Sequence, residues 1–99
     1  MKLDFYEDPG HGWLAVPLEL LDRLGLVDRV SPYSYLRGRL AHLEEDCDYA
    51  LFAAAMRDRG LVFHVKQHHT DNRSKIRGYA SYHPEHARKI LAHLRETAL

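Results

Sequence analysis

The sequence contains almost no cysteine and no long apolar run. Cys47 is the single cysteine among 99 residues, so no disulfide can form within the chain, which fits a reducing cytoplasm. No stretch approaches the roughly 18 apolar residues of a membrane-spanning helix, and no secretory apolar segment follows Met1. These absences predict a cytoplasmic protein that makes no membrane contact.

Common motifs of catalysis and metal binding are missing too. The chain has no HExxH, CxxC, EF-hand, P-loop, GxGxxG or GxSxG pattern. Cys47 is a candidate nucleophile, but a lone cysteine is more often a small hydrophobic residue. We therefore favour a non-enzymatic function and expect no cofactor.

The chain also has no net charge, because its 14 Lys/Arg and 14 Asp/Glu residues cancel. The signs are nevertheless unevenly placed along the chain. Residues 1–50 hold ten acids and five Lys/Arg, whereas residues 51–99 hold four acids and nine Lys/Arg. Either the two halves interleave in space, or the surface is dipolar and docks on a charged partner.

Apolar periodicity predicts strands and helices in a regular order. The strands are expected over 3–7, 13–16, 33–36, 39–44 and 61–66, with a short extra strand at 79–82. The helices are expected over 17–25, from 45–48 to Gly60, and from Pro84 onward. The order ββα-ββα-β(β)α indicates a single α+β domain over 1–99, with a mostly antiparallel sheet of about five strands and three helices on one face. We expect the other face to be open to solvent or to a partner.

Four acids stand at the start of the central helix: Glu44, Glu45, Asp46 and Asp48. An Asp there accepts hydrogen bonds from first-turn amides, and carboxylates oppose the positive end of the helix dipole. One acid suffices for a cap, so the others are predicted to bind a basic partner. A divalent-cation cluster and paired catalytic carboxylates are the alternative interpretations.

The segment 67–78 is predicted to be a loop, because Ile76 is almost its only apolar residue. Arg73, Lys75 and Arg77 alternate along it, and Tyr79 follows. We expect these four residues to bind an acidic partner. Basic residues next to tyrosines also bind phosphates and stack on bases, so direct nucleic-acid binding by residues 66–79 is an alternative, although the neutral total charge disfavours it.

Histidines are the remaining candidates for chemistry. The densest group is His64, His68, His69 and Asp71. A strand that continued through His68 would place His64 and His68 on one face. A zinc site needs three or four convergent ligands, and this spacing does not impose convergence, so we predict no metal site and keep these four residues as the alternative.

Three blocks together resemble a known group of proteins: GHGWLAVP at 10–17, SPYSYLRGRLAHLEEDCD at 31–48 and HTDNRSKIRGY at 69–79. The chain resembles small uncharacterised proteins predicted in phages and other bacterial mobile elements. The resemblance implies a binding protein that inhibits or modulates a host protein or protein–nucleic acid complex, as anti-CRISPR proteins do. It implies no catalytic residue.

Overall fold

The computed structural model describes residues 1–98. Within them the strands are β1 Lys2–Glu7, β2 Gly12–Pro17, β3 Tyr35–Arg37, β4 Leu40–Glu44, β5 His64–His69 and β6 Ala80–Ser81. The helices are α1 Leu18–Arg23, α2 Asp48–Asp58 and α3 Pro84–Thr97, and a 3₁₀ turn spans Lys75–Gly78. The predicted α+β fold and element order are confirmed, with six strands in place of about five. Leu99, the last residue of the predicted domain, lies outside the described residues.

All strands belong to one sheet in the order β5-β1-β2-β4-β3-β6. Every neighbouring pair is antiparallel except β1 and β5, which run parallel with Leu3 opposite Val65. A parallel pair cannot be joined by a tight hairpin, and here the chain forms β2, α1, β3, β4 and α2 before β5. The prediction of a mostly antiparallel sheet is therefore confirmed, with one parallel edge.

The main hydrophobic core lies between one face of the sheet and the three helices. Leu14 and Leu43 are opposite each other on β2 and β4, and both are fully buried. They belong to one apolar cluster with Phe52 and Met56 of α2 and Leu91 of α3. The helical spacing that predicted a buried face on α2 is confirmed, because Phe52 and Met56 are 0% and 1% exposed.

The opposite face of the sheet, expected to be open, is instead partly covered. Residues 70–79, which we call the strap, return from β5 across this face. Ile76 of the strap is 3% exposed, and Trp13 and His42 beneath it are 2% and 5% exposed. The Tyr79 ring lies 5.2 Å from the His42 ring, edge to face. A polar segment with one apolar residue can therefore pack on the sheet here, because the rings of His42 and Trp13 contact Tyr79 and Arg77 of the strap.

Two further expectations about local structure are wrong. The fifth strand starts at His64, not at residue 61, and extends to His69, because β1 pairs with it as far as Glu7 opposite His69. Apolar periodicity does not predict this pairing, because most side chains of β5 are polar. The predicted Asp cap of α2 is also wrong, since the N-cap residue is Cys47 and its side chain forms no capping hydrogen bond.

Asp48 has a different structural role, as the acceptor in a buried network of hydrogen bonds. Its carboxylate accepts from the Ser31 hydroxyl at 2.7 Å and from the Ser34 hydroxyl at 2.5 Å. The Ser34 oxygen in turn accepts from the amide of Glu44 at 2.9 Å, and the Ser34 carbonyl accepts from the amide of Tyr82. Ser34 thus joins the start of α2, the end of β4 and the segment before α3.

We predict that Ser34→Ala lowers the free energy of unfolding by roughly 2 kcal/mol, because it leaves the Glu44 amide without a buried partner and removes one of the two hydroxyl donors of the Asp48 carboxylate, which keeps its bonds from Ser31. Chemical denaturation measures the change. Ser81→Ala, at an exposed position, is the matched control and should change the stability little. Equal effects of the two substitutions would contradict the assignment.

Candidate functional site

The candidate site is organised by a buried carboxylate, that of Asp8, in the turn between β1 and β2. The Asp8 side chain is 1% exposed and accepts five hydrogen bonds. The Arg77 guanidinium donates from Nε at 2.6 Å and from Nη2 at 2.9 Å, and the amides of Gly10, His11 and Ser74 donate the others. Arg77, followed by the Ser74 amide, holds the pKa of Asp8 well below its usual range. This carboxylate fixes the strap to the turn.

The same ion pair places a cation over an aromatic ring. The Arg77 guanidinium carbon lies 5.3 Å from the centre of the Trp13 ring. Tyr35 and His11 approach that ring from other directions, each with centroids 6.2 Å away. Trp13 thus forms the buried floor of the site, and Arg77 is held over it by both charge and stacking.

Beside the Asp8–Arg77 pair lies a cleft of about 350 Å³. It is lined by His11, Trp13, Tyr33, Tyr35, Glu44, Asp46, Cys47 and Arg77. Tyr33, 73% exposed, stands at its rim. The cleft brings members of the predicted acidic cluster together with Arg77 of the predicted basic loop, which the sequence had placed more than 30 residues apart.

Glu44 is the acid that faces this cleft from inside the fold, and it is only 8% exposed. Its Oε2 accepts a hydrogen bond from the Asp46 amide at 2.9 Å. Its Oε1 is buried, accepts no hydrogen bond from the described part of the chain, and lies 3.4 Å from Nδ1 of His11. Together His11, Glu44 and Asp46 offer three ligand atoms that all lie within 4.8 Å of one another.

The other predicted partner-binding residues fall into two groups. Asp48 is buried and bonded to Ser31 and Ser34. Tyr79 packs on His42, and the Arg37 guanidinium lies 5.0 Å from the centre of the Tyr79 ring. Glu45, Arg73 and Lys75 are exposed. Asp48 and Tyr79 therefore serve the fold, whereas the exposed residues are free to meet a partner.

The predicted histidine group does not converge. His64 and His68 share a face of β5, as a continuous strand requires, but His69 points to the other face. His68 pairs with Asp4 at 2.9 Å, and His69 pairs with Asp71 at 2.9 Å, which raises the pKa of His69. Among the residues that the structure describes, the group with metal-ligand geometry is the one in the cleft, not this one.

Sequence reasoning missed Asp8, His11, Trp13 and Tyr35 as site residues. The Asp8-Pro9-Gly10 stretch is typical of a turn, which already explains an Asp at this position. The sequence therefore does not indicate that the Asp8 carboxylate also binds Arg77. A Cβ on Gly10 would lie 2.8 Å from Nη2 of Arg77, so this glycine also permits the close approach of the strap. Ile76 was the one available hint, because a buried residue in a polar loop implies that the loop packs on something.

Comparisons of the chain with models of protein families, with curated proteins and with solved structures gave no match. No described helix has the length and apolarity needed to cross a membrane. The site is therefore interpreted from its own geometry.

The burial of His42 under the strap predicts a pH dependence of stability. Burial lowers the pKa of His42 to about 4 from its ordinary value of 6.5. Between these values the unfolded chain binds a proton that the folded protein excludes, so stability decreases as the pH falls. The folded protein should be less stable by roughly 2 kcal/mol at pH 5 than at pH 7 from this residue alone.

Denaturation of the parent protein and of His42→Leu at both pH values measures this contribution. Between pH 7 and pH 5 the parent should lose roughly 2 kcal/mol more free energy of unfolding than the His42→Leu variant. His69 acts with the opposite sign but is present in both proteins, so it cancels in the comparison. Identical pH profiles would show that His42 is not held neutral by the fold.

Proposed function

We propose that this chain is a cytoplasmic binding protein of a phage or other bacterial mobile element. It inhibits or modulates a host protein–nucleic acid complex, in the manner of anti-CRISPR proteins, through charge complementarity. The observation that carries the proposal is a set of exposed cations on and beside the strap. The resemblance of the three sequence blocks supplies the setting.

The cations in question are Lys66, Arg73 and Lys75, all exposed. Lys66 lies two residues before His68 on β5 and therefore on the same face of the sheet. Arg73 and Lys75 border a groove of about 290 Å³ with Tyr6 and His68, whose rings stack at 4.7 Å. We call Lys66, Arg73 and Lys75 the cationic patch.

The cationic patch differs from the other basic residues near the site in how its charge is used. Arg77 is neutralised by Asp8, whereas Arg73 and Lys75 form no ion pair with the residues that the structure describes. Unpaired exposed cations attract an acidic surface and accelerate its encounter. Their position on a strap that is fixed at Asp8 gives the patch a defined shape, which favours a specific partner.

The acidic residues Glu45 and Asp46 offer a second surface, at the start of α2. Both are exposed, whereas Glu44 and Asp48 of the same predicted cluster are buried. A basic partner would therefore meet two of the four predicted acids. The cationic patch is the larger unpaired set, so we assign the main contact to an acidic partner surface, protein or phosphate.

Direct nucleic-acid binding is the second candidate, favoured by the stacked pair Tyr6 and His68 beside Arg73 and Lys75. Aromatic rings and cations in one groove suit an unpaired strand. Such binding would weaken steeply as salt is raised, because it releases counterions from the phosphates.

We predict that the double variant Arg73→Glu, Lys75→Glu loses the partner. Protein immobilised on beads is used to capture complexes from a bacterial host lysate, and a gel shift with DNA and RNA at low salt is run in parallel. The matched control is Arg57→Glu, Arg59→Glu, which makes the same charge change at exposed positions at the end of α2. Binding should fall at least about tenfold in the first variant and remain in the second.

Capture of a nucleoprotein complex without a gel shift supports the inhibitor proposal, and a salt-sensitive gel shift supports the second candidate. If both variants bind as the parent does, or if protection of a phage in an infection assay survives the strap substitutions, the cationic patch is not the contact surface.

A further inference from the structure

We propose that His11, Glu44 and Asp46 form a binding site for a divalent transition-metal cation at the mouth of the cleft. The site is separate from the cationic patch and does not depend on the proposed function. It rests on a buried carboxylate oxygen that accepts no hydrogen bond from the described residues, and on two exposed ligands whose backbones are fixed beside it.

Glu44 provides the fixed ligand. Its amide donates to Ser34, and its Oε2 accepts from the Asp46 amide, so both ends of the residue are held. Its Oε1 is buried and accepts no hydrogen bond within residues 1–98, with Nδ1 of His11 3.4 Å away. A buried carboxylate oxygen without a hydrogen bond is costly in free energy, and a bound cation would reduce that cost.

His11 and Asp46 provide the movable ligands. The amide of His11 donates to Asp8 and the amide of Asp46 donates to Glu44, which holds the two backbones in place. Their side chains are exposed, so they can rotate. The three ligand atoms now lie within 4.8 Å of one another, and a tetrahedral cation bound at about 2.0–2.2 Å needs them about 3.3–3.6 Å apart. Changes of side-chain rotamer at His11 and Asp46 can move their ligand atoms by the remaining distance of about 1–2 Å.

The charges around the three ligands favour a cation. Arg77 lines the same cleft, but its charge is matched by Asp8 at 2.6 Å, so it does not cancel the two carboxylates. One imidazole and two carboxylates suit Zn²⁺, Co²⁺ or Mn²⁺, and they leave coordination positions open to the cleft. Cys47 also lines the cleft, but it does not belong to the three-ligand group, and we assign it no ligand role.

The test uses the full chain purified without a histidine tag and stripped of metal. Titration calorimetry with Zn²⁺ and the visible absorption of Co²⁺ measure binding. We expect one site per chain, and an affinity at least about tenfold weaker in His11→Ala, Glu44→Gln and Asp46→Asn, since even the outer partners of metal ligands are typically worth 10–100-fold. His93→Ala and Asp71→Asn remove an exposed histidine and an exposed acid elsewhere and should leave binding unchanged.

Circular dichroism and thermal melting establish that each variant is folded. Absence of one-site binding, or equal weakening by the control substitutions, would overturn the proposal, as would loss of binding in Cys47→Ser, which would indicate a thiolate-centred site. The cationic-patch variant Arg73→Glu, Lys75→Glu should bind metal normally, so the two proposals fail or stand separately.

Discussion

The ion pair between the buried Asp8 carboxylate and the partly exposed Arg77 is the interaction on which the non-helical face of the protein depends. The Asp8 carboxylate accepts both guanidinium donors and three backbone amides. Any other position of the strap would take the Arg77 guanidinium and the Ser74 amide away from this buried carboxylate, and removing one partner of a buried charge is strongly destabilising. Tyr79 is thereby placed against His42, and the Arg77 guanidinium is placed over Trp13.

This constraint decides where the protein can meet other molecules. The helices cover one face of the sheet, and the strap covers the central part of the other. The open surfaces next to the strap are its own outer side, with Arg73 and Lys75, and the cleft between the strap and the start of α2. The proposed partner surface and the proposed metal site therefore lie on two sides of the same structural element.

The sequence predicts those features that depend on near neighbours. Helical spacing identifies Phe52 and Met56 as buried, Pro84 marks the start of α3, and Gly60, with a φ of +67°, ends α2. Features that depend on distant pairing are not predicted. Asp8 and Arg77 are 69 residues apart, and β5 is a strand because β1 lies beside it. Glu44, Asp46 and Arg77 were each identified as candidates, but their convergence with His11 and Trp13 follows only from the sheet register and the strap.

The most direct test of this account is the titration of His42 by NMR in the parent protein and in Asp8→Ala. Without its anchor the strap should lift, Tyr79 should leave the His42 ring, and solvent should reach the imidazole. The account predicts that the pKa of His42 rises from about 4 toward its ordinary value, while the signals of the helix-side core around Phe52 stay native. A pKa that remains near 4 in a folded Asp8→Ala protein would show that the strap does not depend on Asp8, and would contradict the account.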